Sequence, residues 1–160
     1  LKILESTDAD ETIKGHAAWA LAFIGAEAAE YLMPALNSDS LDVRSAVLGA
    51  IVKVVQDQPN DKLAQVLVQA LTDPKAVMRS EAASGLAQLN YPAAIPHLIL
   101  AATRDRDVDV RKAAVNALGK TGDQSAIGPL KAAMQDAENV VQVLAKVALG
   151  QLERRLAEDD

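Results

Sequence analysis

An all-α fold, an α-solenoid of about five antiparallel helix pairs, is what the sequence predicts. Three observations carry the expectation. One residue pattern recurs along the whole chain at near-regular spacing. Each period holds two helical patterns and no alternating strand pattern. The composition suits closely packed helices, with 31 alanines and only Trp19, Phe23, Tyr31 and Tyr91 as aromatic side chains. Alanine is the best helix former and adds little bulk between neighbours.

The recurring unit is clearest over Val110–Gly122 and returns at Val43–Ile51 and Met78–Leu86. An earlier copy runs over Ile13–Leu21 and a later one over Val141–Gly150. Its second position reads Lys14, Arg44, Arg79, Arg111, Gln142, at intervals of 30, 35, 32 and 31. A second column keeps the same phase. Asp8, Asp73, Asp105 and Asp136 each stand six residues before that position, with Ser38 in the remaining copy. Periods of this length mark stacked hairpins, because one helix pair cannot bury its apolar stripe alone.

The pattern predicts helices over 1–6, 9–24, 26–37, 41–56, 60–72, 76–89, 92–103, 108–121, 125–135 and 138–157. Asp and Ser near the starts of the second helices offer caps to exposed N–H groups. Gly25, Asn90 and Gly122 stand where second helices end, a place that often takes a left-handed residue. Pro59 and Pro92 mark joints between repeats, and Pro34 is expected to kink its helix. The chain reads as one domain over residues 1–160, with repeats near 1–25, 26–56, 57–90, 91–122 and 123–157. It starts at Leu1 without Met and reads as a piece of a longer polypeptide. The charged tail from Glu153 onward is expected to be a solvated cap.

Composition excludes several function classes. With no cysteine, disulfides, thiolate metal sites and a cysteine nucleophile are out. A net charge of -6 argues against nucleic-acid and anionic-membrane partners. The longest apolar run, Ala17–Ala26, is far shorter than the roughly 20 residues of a spanning helix. Cytoplasmic is the expected compartment.

The unit of about 32 residues, with Asp six before Arg and Ala-Leu-Gly closing the second helix, resembles the HEAT-like repeats of the phycobilisome-lyase type. The resemblance covers essentially the whole chain and is strongest over Asp105–Gly122. It implies a scaffold that binds other proteins, and some members attach or detach bilin chromophores on phycobiliproteins. Some other HEAT-like proteins, hydroxylases, hold iron with His-Glu pairs. Here His16 precedes Ala17 and His97 precedes Leu98, so that motif is missing.

Nothing else in the sequence assembles a catalytic or metal site. Asp105-x-Asp107-x-Asp109 has the start of a calcium loop, but Val110 and Asn116 replace the required Gly and Glu. The acidic turn is expected to cap a helix instead. Gly119-Lys120-Thr121 lacks the earlier glycine of a phosphate loop and ends a helix rather than starting one.

Two sets of residues carry the functional expectations. A structural ladder is expected from Asp8, Arg44, Asp73, Arg79, Asp105, Arg111 and Asp136, each Arg fork meeting carboxylates of its own or the adjacent turn. In the Val110 unit, Val110, Ala114, Ala117, Leu118 and Thr121 should face inward. Lys112, Ala113, Asn116 and Lys120 should face outward on a concave surface. A partner protein or peptide is expected along that surface, against His16, Trp19, Phe23, Gly49, Lys53, Glu81, Ser84, Gln88 and Asn116. Trp and Phe beside small residues are the usual composition of a hot spot. Val143, Leu144 and Val147 are expected to be buried at the C-terminal end. The leading reading is a non-catalytic interaction scaffold without a cofactor. The alternatives are a bilin lyase subunit or phycobilisome-handling factor, and a regulatory or docking segment of a larger enzyme.

Overall fold

The structure, a computed structural model, describes residues 31–58, 60–89 and 91–158. Among these residues the chain is an α-solenoid of seven α-helices, with short 3₁₀ turns and no strand. A 3₁₀ turn at Met33–Asn37 is followed by α1 (Leu41–Asp57), α2 (Asp61–Ala70) and α3 (Ala76–Leu86). A turn at Pro92–Ala94 leads into α4 (Ile95–Arg104), and α5 is Val108–Thr121. A turn at Gln124–Ala126 leads into α6 (Ile127–Ala133), and α7 is Asn139–Glu158. Two compact units divide the chain, Leu1–Leu67 and Val68–Asp160.

Within the first unit, Pro34 opens a 3₁₀ turn rather than kinking an α-helix. Its ring removes one N–H donor, and the tighter turn does without the bond that donor would make. The turn packs on α1. Ser40 starts α1 by accepting from the Val43 amide at 3.4 Å. Val43, Val47, Leu48, Ile51, Val54 and Val55 of α1 are buried, and so are Leu63 and Leu67 of α2. Each such side chain contributes about 1.5–3 kcal/mol when fully removed from water.

Within the second unit, α3, α5 and α7 lie side by side, because α5 packs on both of the others. Behind them, α4 packs on α5 and α6, and α6 packs on α7. The buried line of α5 is Val110, Ala114, Val115, Ala117, Leu118 and Gly119. Thr121 is half-buried and donates its hydroxyl to the Ala117 carbonyl. The matching line of α7 is Val141, Ala145, Ala148, Leu149 and Leu152.

Two glycines owe their places to space. A Cβ on Gly119 would fall 2.8 Å from both Cα and Cβ of Ala148, so α5 and α7 meet through their smallest residues. Gly122 corrects the expectation of a left-handed cap. Its φ is -63° and its ψ 162°, extended backbone open to any residue. The constraint is steric, because an added Cβ would lie 2.4 Å from the Leu118 carbonyl oxygen. Gly25 and Asn90 lie outside the described residues.

Of the C-terminal expectations, the solvated tail holds and the burial of the valines is revised. The segment from Glu153 is the last part of α7, and Glu153, Arg154 and Glu158 are exposed there, as a solvated cap requires. Leu152 is buried, and Arg155 donates to the Gly122 carbonyl at the joint between α5 and α6. Val143 and Val147 are 56% and 52% exposed, not buried. They stand off the line of Val141, Ala145 and Ala148 by part of a helical turn, and the 3.6-residue period turns them to solvent.

Candidate docking groove on the second helices

The repeat places equivalent residues of α3, α5 and α7 in rows. Arg79 and Arg111 occupy the same position of their helices, and Gln142 takes it on α7. Two fixed points set a parallel alignment of α5 and α7. Arg111 near the start of α5 bonds Asp136 just ahead of α7, and Gly119 near its end abuts Ala148 and Gln151.

The ladder holds these helices in register. Arg79 donates from Nε and Nη2 to the two carboxylate oxygens of Asp105, at 2.7 and 2.8 Å. Its Nη1 donates to the carbonyl of Asp73 at 2.8 Å. Arg111 repeats the arrangement, with Nε and Nη2 on Asp136 at 2.8 and 2.9 Å and Nη1 on the Asp105 carbonyl at 3.0 Å. Both forks are bidentate, the strong geometry for a guanidinium and a carboxylate. The four side chains are only 9–13% exposed. Each fork thus meets a carboxylate of the adjacent turn, while in its own turn it meets a backbone carbonyl.

The aspartates of this column do a second job. Asp73, Asp105 and Asp136 each accept from the amide two residues on, at 2.7, 2.9 and 2.9 Å. Ser38 does the same with its hydroxyl toward the Ser40 amide, at 3.2 Å. Burial pushes the Asp105 carboxyl up, but hydrogen bonds from Arg79 and the Asp107 amide bring it below its ordinary value. The Arg111 fork lowers Asp136 against an opposing effect of burial. Both arginines are raised in turn, chiefly by the hydrogen bond to the carboxylate.

Next to this ladder, the exposed rows of the three helices enclose a groove of about 650 Å³. Ala76, Val77 and Ser80 of α3 form one wall, and Leu144 of α7 contributes the other. Asp109, Lys112, Ala113 and Asn116 of α5, with Asp107 at its start, line the floor. Asp107 caps α5, accepting from the Asp109 and Val110 amides at 2.9 and 3.3 Å. Lys112 donates to Asp109 at 2.8 Å. Beyond Leu144 the exposed edge of α7 continues as Val140, Val143 and Val147.

Several residues expected at a partner site line or border this face. Asn116 is exposed in the groove, Glu81 is half-buried and Ser84 exposed further along α3, and Gln88 is exposed in the turn that follows α3. Gly49 and Lys53 lie half-buried on α1 of the first unit, where Lys53 pairs with Asp57 at 3.1 Å. Arg44 donates to the Ser38 carbonyl at 2.8 Å. His16, Trp19, Phe23 and Asp8 lie outside the described residues. His97 is exposed on α4. Among the described residues no group of three or more His, Asp or Glu side chains is placed to hold a metal. Asp105, Asp107 and Asp109 are engaged with helix-start amides, Arg79 and Lys112. No helix among the described residues is long and apolar enough to cross a membrane.

Reading the sequence alone misses Val77, Val140, Val143, Leu144 and Val147 as surface residues. The signal was present in α7, whose apolar residues form two lines rather than one, and a helix packed on one side buries only one of them.

Comparison with known proteins agrees with this architecture. The family model described as HEAT repeats matches residues 64–150, and the one described as PBS lyase HEAT-like repeat matches residues 13–38. The chain is 31% identical over 152 residues to the uncharacterized phycocyanin operon protein Z of Pseudanabaena tenuis (strain PCC 7409), covering 90% of this chain and 74% of that protein. It is 38% identical over 91 residues to a deoxyhypusine hydroxylase of Aspergillus clavatus, but spans only 27% of that protein. Among solved structures, the complex of CpcE and CpcF of phycocyanin lyase from Nostoc sp. PCC7120 superposes with a TM-score of 0.75 at 26% identity. That match covers 94% of this chain and 62% of the other. Repeat columns, helix stacking and relatives agree: the chain belongs to the HEAT-repeat proteins, of the phycobilisome-lyase HEAT-like type.

Proposed function

We propose that this chain acts as a subunit of a bilin-lyase-type assembly, binding a protein partner in phycobiliprotein handling through the exposed face of its second helices. The observation that carries the reading is the match to the phycocyanin lyase complex over 94% of the chain, at a TM-score of 0.75. The phycocyanin operon relative supports it over nearly the same span. The groove adds the physical means, a depression with apolar walls and a charged floor placed by a rigid ladder.

The test mixes this chain with an apo-phycocyanin subunit and free bilin, with and without a CpcF-type partner. Visible absorbance and co-elution are followed. The expected result is a shift of the bilin band that requires this chain. A scaffold without chemistry of its own gives co-elution with the apo-subunit or the CpcF-type partner and no band shift, which retains the partner surface and removes the lyase role. No shift and no co-elution in any combination overturns the proposal.

A further inference from the structure

Helix α5 turns one row of residues toward α7. Arg111 bonds Asp136, Val115 is fully buried and Gly119 abuts Ala148. They stand at i, i+4 and i+8, one side of a helix over successive turns. The equivalent row of α7 is Gln142, Lys146 and Gly150. The repeat orients α7 as it orients α5, so this row faces away from α5. Lys146 is exposed where Val115 is buried. A Cβ added to Gly150 meets nothing within 4 Å, whereas one on Gly119 meets Ala148 at 2.8 Å. The first helix of the same hairpin shows the same opening. Ile95 and Ala102 of α4 are 4% and 1% exposed, while their equivalents Ile127 and Met134 are half-buried.

The charges on this side of α7 are self-complementary. Glu153 lies seven residues beyond Lys146 on the same side, roughly 10 Å along the helix at 1.5 Å per residue. That is too far for the two to pair with each other. Both are exposed, and neither forms an ion pair with another described residue. Leu149 and Gly150 stand midway between them. The other charges of the hairpin lie off this row. Glu138 acts on Arg111, toward α5. Arg155 reaches the Gly122 carbonyl at the joint between α5 and α6. Arg154 falls on the line of Val147 and donates back to the Gly150 carbonyl at 3.1 Å. Lys131 is exposed on α6, near the turn into α7, and Glu158 is exposed at the far end of α7.

We infer that this outer side of α7 pairs antiparallel with the same side of a second copy, about a two-fold axis at Leu149 and Gly150. A two-fold contact sets residue i against j and j against i. Lys146 of each copy therefore meets Glu153 of the other, twice over, and Gln142 faces Ala157 of the second copy. Gly150 puts no side chain at the crossing, so the helices approach closely there, as α5 and α7 do at Gly119. Antiparallel pairing also lays the last turn of the second copy, with Glu158, toward the end of the hairpin that carries Lys131. A further hairpin stacked as α7 stacks on α5 would set Lys146 in the place of Val115, a buried charge without a partner, which is costly. The charge pattern thus favours a second copy. One helix pair is a small interface, so the dimer is weak and depends on concentration. The inference goes beyond the proposed function and does not rest on it, because the valine side of α7 stays open.

Sedimentation velocity on the full chain at rising concentration and low salt tests it. A monomer–dimer equilibrium is expected, weakening as salt rises. Lys146→Glu and Glu153→Lys each set like charges opposite one another at two places. Each should weaken the dimer at least about tenfold, with circular dichroism unchanged. Mixed in equal amounts, the two variants oppose unlike charges again, and the dimer should return. Val147→Asp, off the row, should leave it unaltered. A monomer at every concentration overturns the inference. So does a dimer that the single charge reversals leave unchanged, or a loss that mixing does not repair. A dimer split by Val147→Asp belongs to the valine side and overturns it, as does open-ended assembly, because a two-fold contact closes on itself.

Discussion

Helices α5 and α7 occupy equivalent places in successive repeats, yet they use those places differently. Arg111 of α5 makes three hydrogen bonds, two to the Asp136 carboxylate and one to the Asp105 carbonyl. Gln142 of α7 keeps only the last kind of bond, donating from Nε2 to the Asp136 carbonyl at 2.6 Å. An amide side chain can close the turn of its own repeat, but it lacks the fork that grips the next one. On the exposed side the contrast runs the other way, since α5 presents charge and amide where α7 presents valine. Columns that recur along the chain build the stack. Departures from them determine what each helix offers to other molecules.

Breaking the ladder should have the largest effect. Asp136→Ala leaves the Arg111 guanidinium buried without its carboxylate, at a cost of about 3 kcal/mol in denaturant titration. Replacing both partners by apolar residues, Arg111→Met with Asp136→Leu, should recover most of that loss. If the single variant is as stable as wild type, the ion pair does not hold α7 in place.

Gly119→Ala comes next. Its new Cβ meets Ala148 at 2.8 Å, so α5 and α7 must separate, and the expected loss is about 2 kcal/mol with a lowered Tm. Gly150 has open space where a Cβ would go, so Gly150→Ala should leave the Tm unchanged or raise it slightly.

Acid sharpens the same comparison between the bonded and the unbonded rung. Asp105 and Asp136 have folded values below their unfolded ones, so the folded state binds fewer protons. Their contribution is fully present above about pH 4, the ordinary carboxylate range, and is lost as pH falls through the lower folded values. Circular dichroism at fixed denaturant should therefore show steeper acid unfolding in wild type than in the Arg111→Met, Asp136→Leu variant.

The smallest effect is expected on the exposed stripe. Val143→Asp alone should change stability by no more than about 0.5 kcal/mol, because the side chain already faces water. A large loss there would mean that the α7 stripe is packed in solution and is not a free surface.

Much of this architecture is legible in the residues themselves. The Asp and Arg columns locate the turns and second helices. The expected spans 41–56 and 108–121 lie within a residue of the observed α1 and α5. The Ala-Leu-Gly ending marks the close approach of α5 and α7, although the letters alone do not say that Gly119 meets Ala148. What the letters place poorly are features that depend on neighbours. Val143 and Val147 look like core residues because valine is apolar, and only the turn of α7 relative to α5 leaves them in water. Gly122 looks like a left-handed cap because glycine often serves there, whereas in the fold it clears the Leu118 carbonyl.

Ser38 shows the same division on one residue. It retains the turn-closing bond of the aspartate column, which needs only a local oxygen acceptor. A hydroxyl has no pair of carboxylate oxygens for a bidentate fork, and the residue one repeat earlier in the Arg column is Lys14. Local bonds and helix periodicity arise within a few residues, so the sequence by itself determined the repeat, the helix type and the turn-closing bonds of the Asp column. Which surface stays open, why Gly119 is needed for space and which carboxylate each Arg fork meets follow from contacts between residues 25 or more positions apart. Those depend on how the helices stack, and the tertiary structure alone decided them.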